Sequence, residues 1–306
     1  MDTRERIKGC MFGQAIGDAL GVGTEFMTKE EVNLIYQGGL KHYKDITQDS
    51  WRMRFDQGDW TDDTDMALCI IGSYGQKGYV DLQDIAETFY EWYHVCIDAG
   101  FHVSKVLTTE GYLKDPLETS FRVWKERGPE KSAGNGGIMR ASVCGLFKEG
   151  EIDIEKHAAD ICRLTHWDPR CVGSSVIVAK IISALVWEDR LYNPSEIIEI
   201  GEKYDPAIKE YVELAAKGDL EALDLDEPGK AGYTLKTLSA ALWSYWFAKD
   251  FEDGLVKIVN EGGDADTNAA PSCAILGCKF GFSTIPSEYV EGLIKKDLVQ
   301  RFYEAL

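Results

Sequence analysis

The sequence predicts an all-α protein. Apolar residues recur at helical spacing through most of the 306 residues, while alternating runs bounded by hairpin turns are nearly absent. Several segments, Leu235-Lys236-Thr237-Leu238-Ser239-Ala240-Ala241-Leu242-Trp243 among them, are apolar on more than one face, as in a helix packed on all sides.

Taken in order, Ile7, Cys10, Met11, Ala15, Ala19 and Leu20 mark one face of an opening helix. The pattern predicts further helices at about 63–76, 81–96, 117–126, 137–147 and 153–165. It continues at about 169–188, 207–217, 234–249, 251–260 and 267–281, with two short helices within 286–306. The loops at 38–60, 127–136 and 219–233 are the least regular segments, and none has the Pro-, Ser- and Gly-rich composition of a domain boundary. With no internal repeat, one compact domain over 1–306 is expected. Loops of that length inside a compact domain are usually functional. The acidic run from Asp219 to Asp226 reads as a solvated loop.

Apolar residues at 44% and aromatics at 11% supply a sizeable core, which excludes global disorder. Against 33 Lys and Arg stand 52 Asp and Glu, a net charge of −19 that argues against nucleic acid as a partner. An anionic ligand would therefore have to be held by a few local cations or by backbone amides. The eight cysteines form no Cys-x-x-Cys pair and mostly sit in apolar runs, as expected of buried thiols in a reducing cytoplasm. No histidine pairs with a cysteine at zinc-ligand spacing. The most apolar stretch, Val176 to Trp187, is interrupted by Lys180 and too short to span a bilayer. The N-terminus carries no cleavable apolar segment, so a soluble cytoplasmic protein without a membrane anchor is expected. Nothing forces assembly, and a monomer is the expectation.

The densest chemistry lies in Gly58-Asp59-Trp60-Thr61-Asp62-Asp63-Thr64-Asp65, which leads into the apolar run Met66-Ala67-Leu68-Cys69-Ile70-Ile71. Taken alone the segment fits an ordinary N-cap, with Thr61 or Asp62 capping. Capping needs only one or two side chains, however, and this run carries more negative charge than a helix dipole of about half a charge offsets. A second acidic start, Gly262-Gly263-Asp264-Ala265-Asp266-Thr267-Asn268-Ala269-Ala270-Pro271, precedes the apolar helix Ser272 to Phe280. Pro271 is read there as a first-turn proline, where no N–H is needed. Hard oxygen ligands on short loops suit Mg²⁺ or Mn²⁺. Brought together without cations, Asp62, Asp63, Asp264 and Asp266 would repel one another and hold protons. Between the two lies Ser132-Ala133-Gly134-Asn135-Gly136-Gly137-Ile138-Met139-Arg140, either a seat for a phosphate at a helix start or a flexible turn with Asn135 left-handed.

Four blocks in this order resemble the ADP-ribosylglycohydrolase family, especially the bacterial dinitrogenase-reductase-activating type. They are Gly17-Asp18-Ala19-Leu20-Gly21 with Glu25-Phe26, Trp60-Thr61-Asp62-Asp63-Thr64, Gly134-Asn135-Gly136, and Gly263-Asp264-Ala265-Asp266-Thr267. Thr165-His166-Trp167-Asp168-Pro169 fits as a fifth. The resemblance implies a compact orthogonal helical bundle with a dinuclear Mg²⁺ or Mn²⁺ centre at the bottom of a cleft. Thr61, Asp62, Asp63, Asp264, Asp266 and Thr267 would be the metal ligands. Glu25 would sit beside the metals as second-metal ligand, gate or catalytic base. Gly134, Asn135 and Gly136 would contact the diphosphate and ribose, His166 would bind ligand, and Tyr233 would stack on adenine. Asp98 would face the ADP-ribosyl-arginine.

The implied reaction is hydrolysis of the C1″ glycosidic bond between ADP-ribose and a protein side chain, most simply arginine, through an oxocarbenium-like transition state. The alternatives are an ADP-ribosyl-serine hydrolase, a metal-dependent phosphohydrolase of ADP-ribose derivatives, and a non-catalytic ADP-ribose-binding member. Taken singly, Glu25 reads as a surface glutamate, His166 as a helix-end histidine and Tyr233 as a core tyrosine. His42, His94, His102 and His157 receive no role.

Overall fold

The computed structural model describes residues 1–128, 131, 133–147 and 153–306. Ser132, at the head of the glycine-rich turn, lies outside the described residues, as does part of the loop expected at 127–136. The chain is 66% helical, and no strand occurs among the described residues. The helices are α1 (Thr3–Gly21), α2 (Lys29–Ile35), α3 (Asp62–Lys77), α4 (Leu82–Tyr93), α5 (Phe101–Leu107), α6 (Pro116–Arg127), α7 (Ile154–Arg163), α8 (Pro169–Ser183), α9 (Pro194–Glu202), α10 (Ala207–Ala215), α11 (Thr234–Phe247), α12 (Phe251–Val259), α13 (Ala265–Phe280), α14 (Ser287–Gly292) and α15 (Lys296–Glu304).

Most helix starts use local polar side chains to satisfy orphan N–H groups. Asp2, Asp81, Asp115, Asp153, Asp168 and Asp250 accept from first-turn amides of α1, α4, α6, α7, α8 and α12. Thr28 and Asn193 build reciprocal capping boxes with Glu31 and Glu196. Two acidic starts stand apart: Thr61 before α3 and Asp264 before α13 make no side-chain cap hydrogen bond. Their oxygens are committed elsewhere.

The core is organised by α1 and α13, which run antiparallel in backbone contact. Gly9, Gly13, Gly17 and Gly21 fall on one face of α1 at intervals of four. A Cβ on them would lie 2.1 Å from Gly277 O, 2.1 Å from Cys273 O, 2.4 Å from Ala269 O and 2.3 Å from Asp266 Cα. Only glycine permits that approach. The register delivers the C-terminal end of α1 to the first turn of α13.

The structure corrects several expectations. The segment 137–147 is a 3₁₀ helix, Ile138–Leu146, buried throughout; the tighter coil brings Gly145 so close to α8 that a Cβ would meet Ala179 O at 2.4 Å. Helix α13 begins at Ala265, with Asp264 as its N-cap after the left-handed pair Gly262 and Gly263, so Pro271 sits inside it and cannot donate to the Thr267 carbonyl one turn back. Helices α2, α5 and α9 were not expected; they are only 7, 7 and 9 residues long. The apolar run around Val176 extends from Pro169 to Glu188, 20 residues through a closing π turn, long and apolar enough to cross a membrane; 78% of its apolar window is buried inside the fold. The loop at 219–226 is tied down rather than merely solvated: Leu223 and Leu225 are buried, and Asp226 accepts from the Lys29 amide at 2.7 Å.

Candidate functional site

Asp18, buried on α1, organises the start of α3. It accepts four hydrogen bonds, from the amide and hydroxyl of Thr61 (3.0 and 2.9 Å) and from those of Thr64 (2.9 and 2.6 Å). This clamp turns Asp62 and Asp63 toward the interior instead of leaving them as caps. Asp65 is spent on structure, accepting from the indoles of Trp60 (2.7 Å) and Trp92 (3.0 Å).

The start of α13 is shaped by Gly262 and Gly263, at φ of +72° and +67°. Gly263 N donates to Met27 O at 2.8 Å, and Phe26 N donates to Gly263 O at 2.6 Å. A Cβ on Gly262 would lie 2.4 Å from Met27 O, so the 25–27 turn can lie against this loop only where glycine stands. The pairing brings Glu25, Asp264 and Asp266 together, with one carboxylate oxygen of each within 4.8 Å of the others. The Thr267 hydroxyl lies 3.3 Å from Asp63 Oδ2 and links the two acidic starts. Thr61, Asp62, Asp63, Asp264, Asp266, Thr267 and Glu25 thus converge on one cleft.

Burial first, and mutual repulsion second, push these carboxyls upward: Glu25 to about 8, through Asp264, Asp98 and Asp62, and Asp62 to about 7. Asp63, Asp264 and Asp266 shift in the same direction, again chiefly by burial. Asp18 rises to about 6 despite its four donors. Among the ion pairs of the described residues, only Arg54–Asp98 reaches a carboxylate of this cleft. Asp63 Oδ1 is buried without a partner. An oxygen-only set of crowded carboxylates, one with an orphaned oxygen, fits a hard divalent cation, which would supply both the missing charge and the missing partner.

Asn135 reaches the same place from the opposite wall. Its side-chain amide donates to Asp264 Oδ2 at 2.7 Å and to Thr237 Oγ1 at 3.1 Å. It thereby orients Asp264 from the turn that the resemblance assigns to ribose and diphosphate. Two backbone hydrogen bonds, Asn135 N to Gly232 O (2.9 Å) and Thr234 N to Ala133 O (3.0 Å), join Gly134 to Tyr233. A Cβ on Gly136 would lie 2.7 Å from His166 Cε1. His166 is buried beneath this turn. Thr165 Oγ1 accepts from Arg140 (2.6 Å) and is hydrogen-bonded to His166 Nδ1 (2.8 Å), which fixes the ring with Nε2 on the side facing the turn.

A cavity of about 460 Å³ opens beside this turn, lined by Gly134, Tyr233, Tyr211, His102, Arg127 and Arg170 among others. Tyr233 is half-buried on its wall with Tyr211 at its edge, 5.7 Å between ring centres, so it is not a core tyrosine. The cations here supply the local positive charge that an acidic protein needs for an anionic ligand.

Sequence reasoning missed Asp18, Trp51, Arg52, Arg54 and His102. Trp51 Nε1 donates to Glu25 Oε2 at 2.8 Å. Arg52, buried, holds the turn before it by donating to Gly23 O (2.9 Å) and Glu25 O (2.6 Å). The usable signal was Asp18: an aspartate between Ala15 and Ala19 on the apolar face of a helix is buried only with partners. Residues 51–54 lie in a stretch of sequence without periodicity, where Arg52–Arg54 form one 3₁₀ turn, and gave no such signal.

An all-helical fold with a buried, oxygen-only acidic cluster at the meeting of two helix starts defines a class, helical proteins with a candidate metal site at the junction. The chain belongs to the ADP-ribosylglycohydrolase family, whose model matches residues 1–306, and by that membership it is a glycosyl hydrolase. It is 28% identical to the ADP-ribosylarginine hydrolase Tri1 of Serratia proteamaculans, over 100% of this chain and 80% of that protein. It is likewise 28% identical to the ADP-ribosyl-[dinitrogen reductase] glycohydrolase of Rhodospirillum rubrum, over 96% and 92%. Identity to the human ADP-ribosylhydrolase ARH3 is 22%, over 96% and 91%. A solved ADP-ribosylglycohydrolase-related protein complex superposes with a TM-score of 0.79 at 27% identity, covering 99% of this chain and 97% of that one.

Proposed function

We propose that this protein removes ADP-ribose from modified arginine side chains by hydrolysing the C1″–N glycosidic bond, with two divalent cations, Mg²⁺ or Mn²⁺, as cofactor. The observation that carries the reading is the convergence of Glu25, Asp264 and Asp266 within 4.8 Å, beside the orphaned Oδ1 of Asp63. Thr61, Asp62, Asp63, Asp264, Asp266 and Thr267 would hold the cations, which when bound supply charge stabilisation and an acidified water. Glu25 accepts the proton of the attacking water at a carboxylate oxygen, while the Trp51 indole fixes the orientation of that carboxyl. Asn135 keeps Asp264 aimed, and His166 supports the Gly134–Gly136 turn from behind.

The cavity lined by Tyr233 and Arg170 takes the adenosine diphosphate half, with Tyr233 against the base. Asp98, at the mouth beside Glu25 and Asp62, meets the guanidinium of the acceptor. The arginine reading is supported by the name of the Serratia relative and by this acidic mouth. The enzyme works as a cytoplasmic monomer on ADP-ribosylated protein, in keeping with its free, mostly buried cysteines.

The test is release of free ADP-ribose from ADP-ribosyl-arginine and ADP-ribosyl-serine peptides, with Mg²⁺, with Mn²⁺ and with chelator. Metal-dependent release from the arginine peptide alone is expected. Release from the serine peptide alone would move the acceptor assignment, and AMP with ribose phosphate would replace the glycosidic reading with phosphohydrolysis.

A further inference from the structure

At the mouth of the cleft the protein's own guanidinium already lies on Asp98. Arg54 Nη1 is 3.4 Å from Asp98 Oδ1, and the guanidinium carbon stands 3.7 Å from the centre of the Trp51 ring. Trp51 is in turn hydrogen-bonded to Glu25. An indole face and a carboxylate together make a guanidinium subsite, through cation–π attraction and charge-assisted hydrogen bonding.

This pair is not built like a structural tie. Arg170 and Asp168 show what one looks like here: two contacts, at 2.8 and 3.0 Å, with the Asp168 side chain 1% exposed. Arg54 makes a single long contact to Asp98; its Nε donates to Trp51 O at 3.1 Å, and its Nη2 is buried without a partner. A buried unpaired donor weakens the hold on the whole group. The side chains of Arg54 and Asp98 are 31% and 25% exposed, so the guanidinium can swing out to solvent. On its other side Asp98 lines a small cavity of about 120 Å³ with Asp62, Phe55, Trp60 and Lys295.

We propose that Arg54 is a placeholder for the acceptor: in the free enzyme its guanidinium occupies the Trp51–Asp98 subsite that the substrate arginine takes by displacing it. The inference rests on the arginine reading above and adds an internal competitor to it. A ligand that must displace a resident group binds more weakly by the fraction of time the subsite is filled.

The experiment is calorimetric binding of L-arginine methyl ester to the Mg²⁺-loaded protein in the presence of ADP-ribose, for wild type, Arg54→Gln and Asp98→Asn. Arg54→Gln is expected to tighten binding about three- to tenfold, and Asp98→Asn to abolish it. KM for the ADP-ribosyl-arginine peptide should fall in parallel, with kcat within about twofold. Unchanged or weaker binding in Arg54→Gln overturns the proposal. So does equal tightening of L-lysine methyl ester, which would indicate a general charge effect. Should Arg54→Gln fold poorly, Arg54→Lys serves, since it keeps the charge and loses the planar fork; it is expected to tighten L-arginine methyl ester less, and no tightening overturns the proposal. If wild type releases ADP-ribose from the serine peptide alone, the arginine assignment falls. With it falls Arg54 as a placeholder for substrate, whereas release from the arginine peptide without tightening in Arg54→Gln removes the placeholder alone.

Discussion

Gly17 of α1 packs so closely on Ala269 of α13 that a Cβ would lie 2.4 Å from the Ala269 carbonyl oxygen. Eight residues downstream of Gly17 is Glu25, and three residues upstream of Ala269 is Asp266, whose carboxylates share the candidate metal site. The packing of two buried helices thus sets the spacing of carboxylates that are 241 positions apart in sequence.

Gly17→Ala tests this relationship. In an ordinary helix interior the change gains about 0.5–1 kcal/mol. Here the added methyl meets backbone on a second helix that cannot step aside, so a net loss of about 1–3 kcal/mol is expected in chemical denaturation. A stabilised variant would remove the close-packing argument.

Asp18→Asn keeps the size of the side chain but replaces one acceptor oxygen by a donor, leaving the donors of either Thr61 (on Oδ1) or Thr64 (on Oδ2) without their acceptor. The 61–64 turn should loosen. Mg²⁺ or Mn²⁺ affinity, read by titration against thermal stability, is expected to drop about 10–100-fold while helicity by circular dichroism is retained. Unaltered affinity would mean that Asp18 merely fills the core.

Asp266→Asn separates the cost of the cluster from its use. The carboxyl is pushed well up by burial and by Glu25, Asp264 and Asp63, so a neutral amide should stabilise the chelated protein by about 1–3 kcal/mol. The same variant should lose the rise in melting temperature on adding metal, and turnover should fall by more than about 10³-fold. A metal response equal to wild type would exclude Asp266 as a ligand.

His102 supplies a pH signature away from the carboxylates. Arg127 donates to its Nδ1 (3.2 Å), so Nε2 carries the proton and donates to Thr165 O (3.0 Å). Burial, then Arg127, lowers it from 6.5 to about 4. The unfolded chain therefore binds the proton first, and stability is full above about pH 6.5 and drains as pH falls toward 4. His102→Gln keeps a donor for Thr165, and between those limits it should lose about 1–3 kcal/mol less than wild type. Parallel stability curves would show that the histidine is not held neutral.

Much of the candidate site was legible because its residue types sit in short, contiguous runs. Thr61-Asp62-Asp63 and Asp264-Ala265-Asp266-Thr267 carry more charge than capping uses, and that excess is visible without coordinates. The Gly134-Asn135-Gly136 turn was legible too, but the hydrogen bond from Asn135 to Asp264 was not, because the two are 129 positions apart. Asp18 was quoted within a motif without its task, since a clamp on Thr61 and Thr64 exists only once α1 and α3 meet. Trp51, Arg52 and Arg54 lie in a loop without periodicity, where residue type alone indicates no contact.

The sequence by itself determined that the protein is helical, that its core is large, and that two acidic segments hold more oxygen ligands than helix ends require, since these are properties of local spacing and composition. Tertiary structure alone decided that the two segments face each other with Glu25 between them, that Asp63 keeps an unpaired oxygen, and that Arg54 rests on Asp98. Those facts depend on how closely α1 and α13 approach and on which side chains that approach buries, and burial is what converts a row of acidic residues into a site that calls for a cation.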